Sequence, residues 1–205
     1  MKAVFLGGSR RICRLNESVR AKLDELLDQG LWIFIGDANG ADRAFQQHLA
    51  DRGYERVVVY AVTGMLRNNV GDWKVRSVDA PKGTRGFDLY SVKDVQMAND
   101  AFYGFMLWDG SSRGTLANIR SLLARGKPVM VHLSQARRLV KLRSPDDLLK
   151  LGVASTVDVG SQQNLFFDAA GVTSKQTPAF DGRGASHSGR TQPKRRHVAS
   201  ARDRA

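Results

Sequence analysis

Three short segments of this chain combine glycine with hydroxyl, basic and acidic side chains in the way a phosphate site requires. They are Gly7-Gly8-Ser9-Arg10-Arg11, Gly36-Asp37-Ala38-Asn39-Gly40-Ala41-Asp42, and Asp109-Gly110-Ser111-Ser112-Arg113-Gly114-Thr115. Each follows an apolar run and precedes a helical pattern. Glycine lets the backbone turn sharply and come close to a ligand, and the free amides and dipole at a helix N-terminus favour an anion. Arg10 and Arg113 add guanidinium groups that can clamp phosphate, and Ser9, Ser112 and Thr115 add hydroxyls. A glycine at a strand-to-helix turn also serves tight-turn geometry alone. Three such turns, two of them carrying serine and arginine together, favour a shared anion site in which amides from separate turns converge.

Carboxylates stand in the same segments. Asp37 and Asp109 fall where strands should end, so they are the candidates for catalysis, for hydrogen bonding to ribose hydroxyls, or for holding a loop. Asp42 falls in the first turn of a helix, where an acidic residue also complements the dipole. A polar stretch further on holds Arg67, Asn68, Asn69 and Trp73. Asparagine can read a base edge and tryptophan can stack on one, so Asn68, Asn69 and Trp73 make a candidate lid over a nucleobase; the competing reading has Trp73 anchoring the loop to the core. Lys93 and Asp94 read as surface charges, Cys13 as a free structural thiol, and His48 and His132 as packing residues. Neither a Walker lysine motif nor the spaced glycines of a dinucleotide fingerprint is present, and no Cys/His spacing suits a metal.

Five nearly continuous apolar runs must carry these segments: residues 3–7, 31–36, 56–61, 103–108 and 128–133. Continuous rather than alternating apolarity is what a parallel sheet covered on both faces demands. Helical patterns separate the runs. Asn16 caps one in which Val19, Leu23, Leu26 and Leu27 share a face; a second starts near Gly40, a third covers about 91–100, and a fourth starts near Gly114 with Leu116, Ile119, Leu122 and Leu123 inward. The pattern predicts an α/β fold: a doubly wound, mainly parallel sheet of about five or more strands, with ligands beyond the carboxyl ends of the strands. Residues 62–90 break the rhythm and read as a functional loop with a short strand around 74–79. A short capped helix is expected at 144–151.

Residues 1–152 thus form one domain, 153–170 an extension of uncertain structure, and 171–205 a tail. That tail holds eight Lys/Arg against two Asp, so it supplies +6 of the net +12. Rich in Gly, Ser, Thr and Pro with one aromatic, it cannot bury enough apolar surface to offset ordering entropy and reads as disordered. A basic tail offers nucleic acid a weak, salt-sensitive contact. One cysteine excludes an intrachain disulfide framework, no apolar run approaches the roughly 20 residues of a membrane helix, and no export signal is evident, so a cytoplasmic protein without membrane contact is expected.

The segments FLGGSRRI, GDANGADRAF and YGFMLWDGSSRGTLANI resemble the three nucleotide-binding segments of the SLOG superfamily, which unites the Smf/DprA and LOG branches. The resemblance covers about residues 3–133. It implies a Rossmann-like fold that binds a nucleotide or nucleotide derivative, often as a homodimer, in bacterial or phage settings. The sequence departs from the pattern at one telling place: LOG-type glycosidic hydrolases carry a catalytic glutamate where this chain has Asn118, and an amide cannot act as a carboxylate base. The leading expectation is therefore binding of a nucleotide ligand, for sensing or processing. Hydrolysis or transfer at a glycosidic or phosphoester bond is one alternative, and nucleic-acid binding through the basic tail and a DprA-like face is another.

Overall fold

The computed structural model describes residues 2–151. The extension expected at 153–170 and the basic tail expected at 171–205 lie outside the described residues.

Seven strands form one sheet: β1 (Ala3–Gly8), β2 (Trp32–Gly36), β3 (Val57–Val62), β4 (Lys74–Val78), β5 (Tyr103–Trp108), β6 (Val129–Leu133) and β7 (Arg138–Leu142). Their spatial order is β4-β3-β2-β1-β5-β6-β7, and every pairing is parallel except that of β6 with β7. The helices are α1 (Glu17–Asp28), α2 (Ala41–Asp51), α3 (Gly86–Asp100), α4 (Arg113–Ala124) and α5 (Pro145–Lys150). Among the described residues, no helix is long and apolar enough to cross a membrane.

The pleat divides the apolar runs between two cores. Val4 and Leu6 of β1, Ile33 and Ile35 of β2 and Phe105 of β5 pack under α1 and α2. Phe5, Phe34 and Met106 point the other way, under α3 and α4. With both faces covered, each strand must be apolar at every position, which is why continuous runs predicted the central strands correctly. Asn16 caps α1 by accepting the Val19 amide at 2.9 Å, as its type and position require.

Two elements differ from the sequence reading. Helix α3 starts at Gly86, five residues before the expected start, because its first turn has no capping side chain and keeps Phe87 exposed, leaving no apolar period to detect. Strand β7 was not expected at all. Its Arg-Leu-Val-Lys-Leu sequence lies mostly exposed at the sheet edge and pairs with β6 through a turn in which Arg137 adopts φ 49°.

Candidate functional site

Strand β1 lies between β2 and β5, and the chain leaves β1 and β5 for helices on opposite faces. The loops that follow β1 and β5 therefore part at this point, and a cleft of about 610 Å³ opens between them, closed on one side by α3. The turn after β2 reaches it through Ala38 and Asp42.

Ser9 ties the three turns together. Fully buried, it donates its amide to Leu107 O at 2.9 Å, accepts the Ile12 and Ala41 amides on its carbonyl at 3.1 Å each, and donates its hydroxyl to Asp109 Oδ2 at 2.7 Å. Asp109 in turn accepts the Ser111 and Ser112 amides on Oδ1 at 3.0 and 2.7 Å. Burial works against its charge, but these bonds outweigh it and hold the carboxyl below the usual carboxylate range. Gly40 is required where the turns meet: its φ is +82°, and a Cβ there would stand 2.3 Å from Arg10 O.

This knot corrects one expectation. The amides of Ser9, Arg11, Ala38, Ala41, Ser111, Ser112 and Thr115 all bond to the protein's own groups and are not available to an anion. At the N-terminus of α4, Ser112 caps through its hydroxyl, accepting Thr115 N at 3.4 Å and Thr115 Oγ1 at 2.9 Å. Only Arg113 and Gly114 there, among the described residues, keep amides without an acceptor in the fold. Positive charge comes mainly from side chains. Arg10 and Arg113 line the cleft with no carboxylate partner among the described residues, and Arg11 donates to Ser111 Oγ at 3.1 Å.

Of the other residues singled out in the sequence, Gly7, Gly8, Asp42, Ser112, Gly114 and Thr115 line the cleft; Gly36, Asp37, Gly40, Ala41 and Gly110 do not. Asp37 is 1% exposed and clamps the β3–β4 connection: Oδ2 accepts Arg67 N and Nε at 3.1 and 3.0 Å, and Oδ1 accepts Nη2 at 2.6 Å. Burial would raise its pKa, but the Arg67 guanidinium and nearby Lys93 overcome that and keep it below the usual range. Of the roles open to Asp37 and Asp109, the geometry gives both the loop-holding one.

The lid expectation is corrected as well. Asn68 donates to Asp37 O and Asn39 Oδ1 at 2.7 and 3.0 Å. Asn69 brackets Trp73 through two backbone bonds, and the Trp73 indole donates to Tyr54 O at 2.8 Å while packing on the core. None of the three lines the cleft; the bonds they make fix the loop. What that loop delivers is Arg67, whose guanidinium stacks on Tyr90 at 4.6 Å from the ring centroid, with Arg10 5.8 Å from the same ring.

Lys93 and Asp94, read from the sequence as surface charges, instead form the cleft floor. Lys93 is 3% exposed, donates to Asp94 Oδ1 at 2.6 Å and lies 3.8 Å from Asp37 Oδ1. Burial alone would lower its pKa, but Asp94, Asp42 and Asp37 outweigh that and keep it protonated. Asn118 donates to Asp94 Oδ2 at 3.3 Å from the opposite wall. Burial pushes Asp42 up to about 7 against the pull of Lys93. Phe87, 51% exposed, stands at the mouth with Cε2 3.7 Å from the Cβ position of Gly114. The missed residues Arg67, Phe87, Tyr90, Lys93 and Asp94 sit where the sequence carries no glycine signal; only the topology brings α3 to this edge.

Cys13 is exposed and outside the cleft lining. His48 bonds to Asp24 at 2.8 Å and His132 to Asn16 at 3.2 Å, both away from the site.

No protein-family model matches the chain, and no curated protein matches it either. Among solved structures it is similar to DNA processing protein A of Helicobacter pylori, whose description concerns a unique single-stranded DNA binding mode. The two share 16% identity over 82% of this chain and 80% of that one, with a TM-score of 0.51. At that identity the likeness concerns architecture: the chain has the α/β fold of a DNA processing protein A.

Proposed function

We propose that the cleft at the β1/β5 divide binds single-stranded nucleic acid. The observation that carries this reading is the pairing of cations that have no carboxylate partner among the described residues with an exposed aromatic. Arg10 and Arg113 have no carboxylate partner among the described residues, two amides at the start of α4 lack acceptors, and Phe87 stands beside them with half its surface in water. Single-strand sites combine these two features, since cations follow the phosphates and aromatic faces stack unpaired bases. The fold shared with a single-stranded DNA binding protein supports the same reading.

The test is fluorescence anisotropy of a labelled oligonucleotide against the full chain over a salt series. Affinity should fall steeply with salt, drop at least tenfold in the Arg10→Ala, Arg113→Ala double variant, and weaken several-fold in Phe87→Ala. Wild-type affinity in the double variant would move the interface away from the cleft, to the basic segment at 171–205.

A mononucleotide ligand is the second reading, favoured by the enclosed polar floor of Asp42, Lys93, Asp94 and Asn118, which a groove for backbone alone does not need. A rise in melting temperature with free nucleotides, and none with oligonucleotides, would select it.

A further inference from the structure

The floor of the cleft holds an unequal set of charges. Asp42 and Asp94 of the lining, with Asp37 outside it, meet Arg67 and Lys93, three carboxyls against two cations. Two carboxyls are matched at bonding distance: Asp37 by the Nε–Nη2 edge of Arg67, and Asp94 by the Lys93 ammonium at 2.6 Å. Asp42 is the one left over. It is 8% exposed, makes no ion pair within 4.0 Å, and accepts one bond, from Ala38 N to Oδ2 at 3.3 Å. No buried side-chain polar atom among the described residues lacks a partner, so Oδ1, which accepts no bond there, keeps some exposed surface, and Asp42 lines the cleft.

We infer that Asp42 is a ligand-facing contact that carries a proton when the cleft is occupied, so that nucleic acid binds with uptake of one proton at this carboxyl. The inference rests on the cleft being the nucleic-acid site and adds the group that meets the ligand at its floor. An uncompensated buried carboxylate repels an incoming phosphate chain, whereas a neutral carboxyl can donate a hydrogen bond to a phosphate or base oxygen. Lys93 offsets part of that charge, but no cation lies within ion-pair distance of Asp42 among the described residues. Lys93 and Arg67 bond the other two carboxyls; Arg10, Arg11 and Arg113 line the same cleft, as does Asp109, whose carboxyl is held below the usual range. That Asp42 already titrates near neutrality, raised by burial to about 7, agrees with this geometry.

The experiment is calorimetric titration of the full chain with a short oligothymidylate lacking terminal phosphates, which has no titrating group between pH 6 and 9. Runs at matched pH in two buffers of different ionisation heat count the protons exchanged. At pH 8 the wild type should take up close to one proton, and affinity should fall by up to tenfold per pH unit above about pH 7. Asp42→Asn should bind without that uptake and with a flat profile. Carbon-13 NMR of the aspartate carboxyls in the wild type gives a readout free of mutation, with the Asp42 midpoint moving upward on binding. Binding without proton uptake, or an Asp42→Asn profile as steep as the wild type, overturns the inference and leaves the nucleic-acid reading standing. Absence of oligothymidylate binding at every pH overturns both.

Discussion

Replacing Asp42 by asparagine should make the folded protein more stable at alkaline pH, an uncommon result for a buried polar residue. The carboxyl has an ordinary midpoint of 3.8, and burial raises it to about 7 in the fold. That difference corresponds to about 4 kcal/mol of tighter proton binding in the native state. The folded state holds the proton that the unfolded chain releases, so the stabilisation is complete below pH 3.8 and is lost as pH climbs through 7. Between pH 5 and pH 8 the loss through this one group is about 3 kcal/mol. Asparagine keeps the shape, keeps an oxygen for the Ala38 amide, and has no charge to desolvate. The two proteins should therefore match within about 1 kcal/mol only below pH 3.8, where both side chains are neutral in both states, and the variant should lead by about 2 kcal/mol at pH 5 and about 4 kcal/mol at pH 8. Urea denaturation of both chains at the two pH values measures this directly, and the comparison cancels every other titrating group. Parallel stability profiles would refute the placement of Asp42 as an uncompensated buried carboxyl.

Three further substitutions probe the scaffold. Asp37→Asn leaves Arg67 and Lys93 without their shared carboxylate and should cost about 3–5 kcal/mol in chemical denaturation; because that carboxyl is held below its ordinary range, its contribution in the wild type persists above about pH 4 and fades on acidification. Gly40→Ala places a Cβ 2.3 Å from Arg10 O at φ +82° and should cost about 1–3 kcal/mol, seen as a lowered melting temperature; an unchanged one would mean that the turns need no close approach. Trp73→Phe removes the bond to Tyr54 O and should cost about 1–2 kcal/mol without altering oligonucleotide affinity; a large affinity loss would return Trp73 to the role of a lid.

The central strands and three of the long helices were legible in the chain itself, because each reflects a local rule. Runs such as Val4-Phe5-Leu6 and Ile33-Phe34-Ile35 are apolar at every position since both faces of the sheet are covered, and Asn16 and Ser112 cap helices through bonds to amides three residues on. Glycine-rich turns likewise marked the edge of the sheet where the cleft opens, since backbones that meet there leave little room for a Cβ. The β3–β4 connection was less transparent. Its polar side chains looked like ligand contacts, yet Asn68, Asn69 and Trp73 satisfy nearby backbone groups instead, a use that depends on what folds beside them.

Sequence by itself determined the layered architecture and the sheet edge at which the cleft opens, because periodicity, capping and tight turns are properties of neighbours along the chain. Tertiary structure alone decided the chemistry of the floor. Lys93 and Asp94 lie on a helix whose pattern resembles a solvated face, and Lys93 becomes buried, with Asp94 half-buried beside it, only because α3 packs across the divide between β1 and β5. Whether a carboxyl such as Asp42 is paired or left over depends on charges contributed by α3 and the β3–β4 connection, dozens of residues away, and electrostatic balance at that range is a property of space rather than of sequence order.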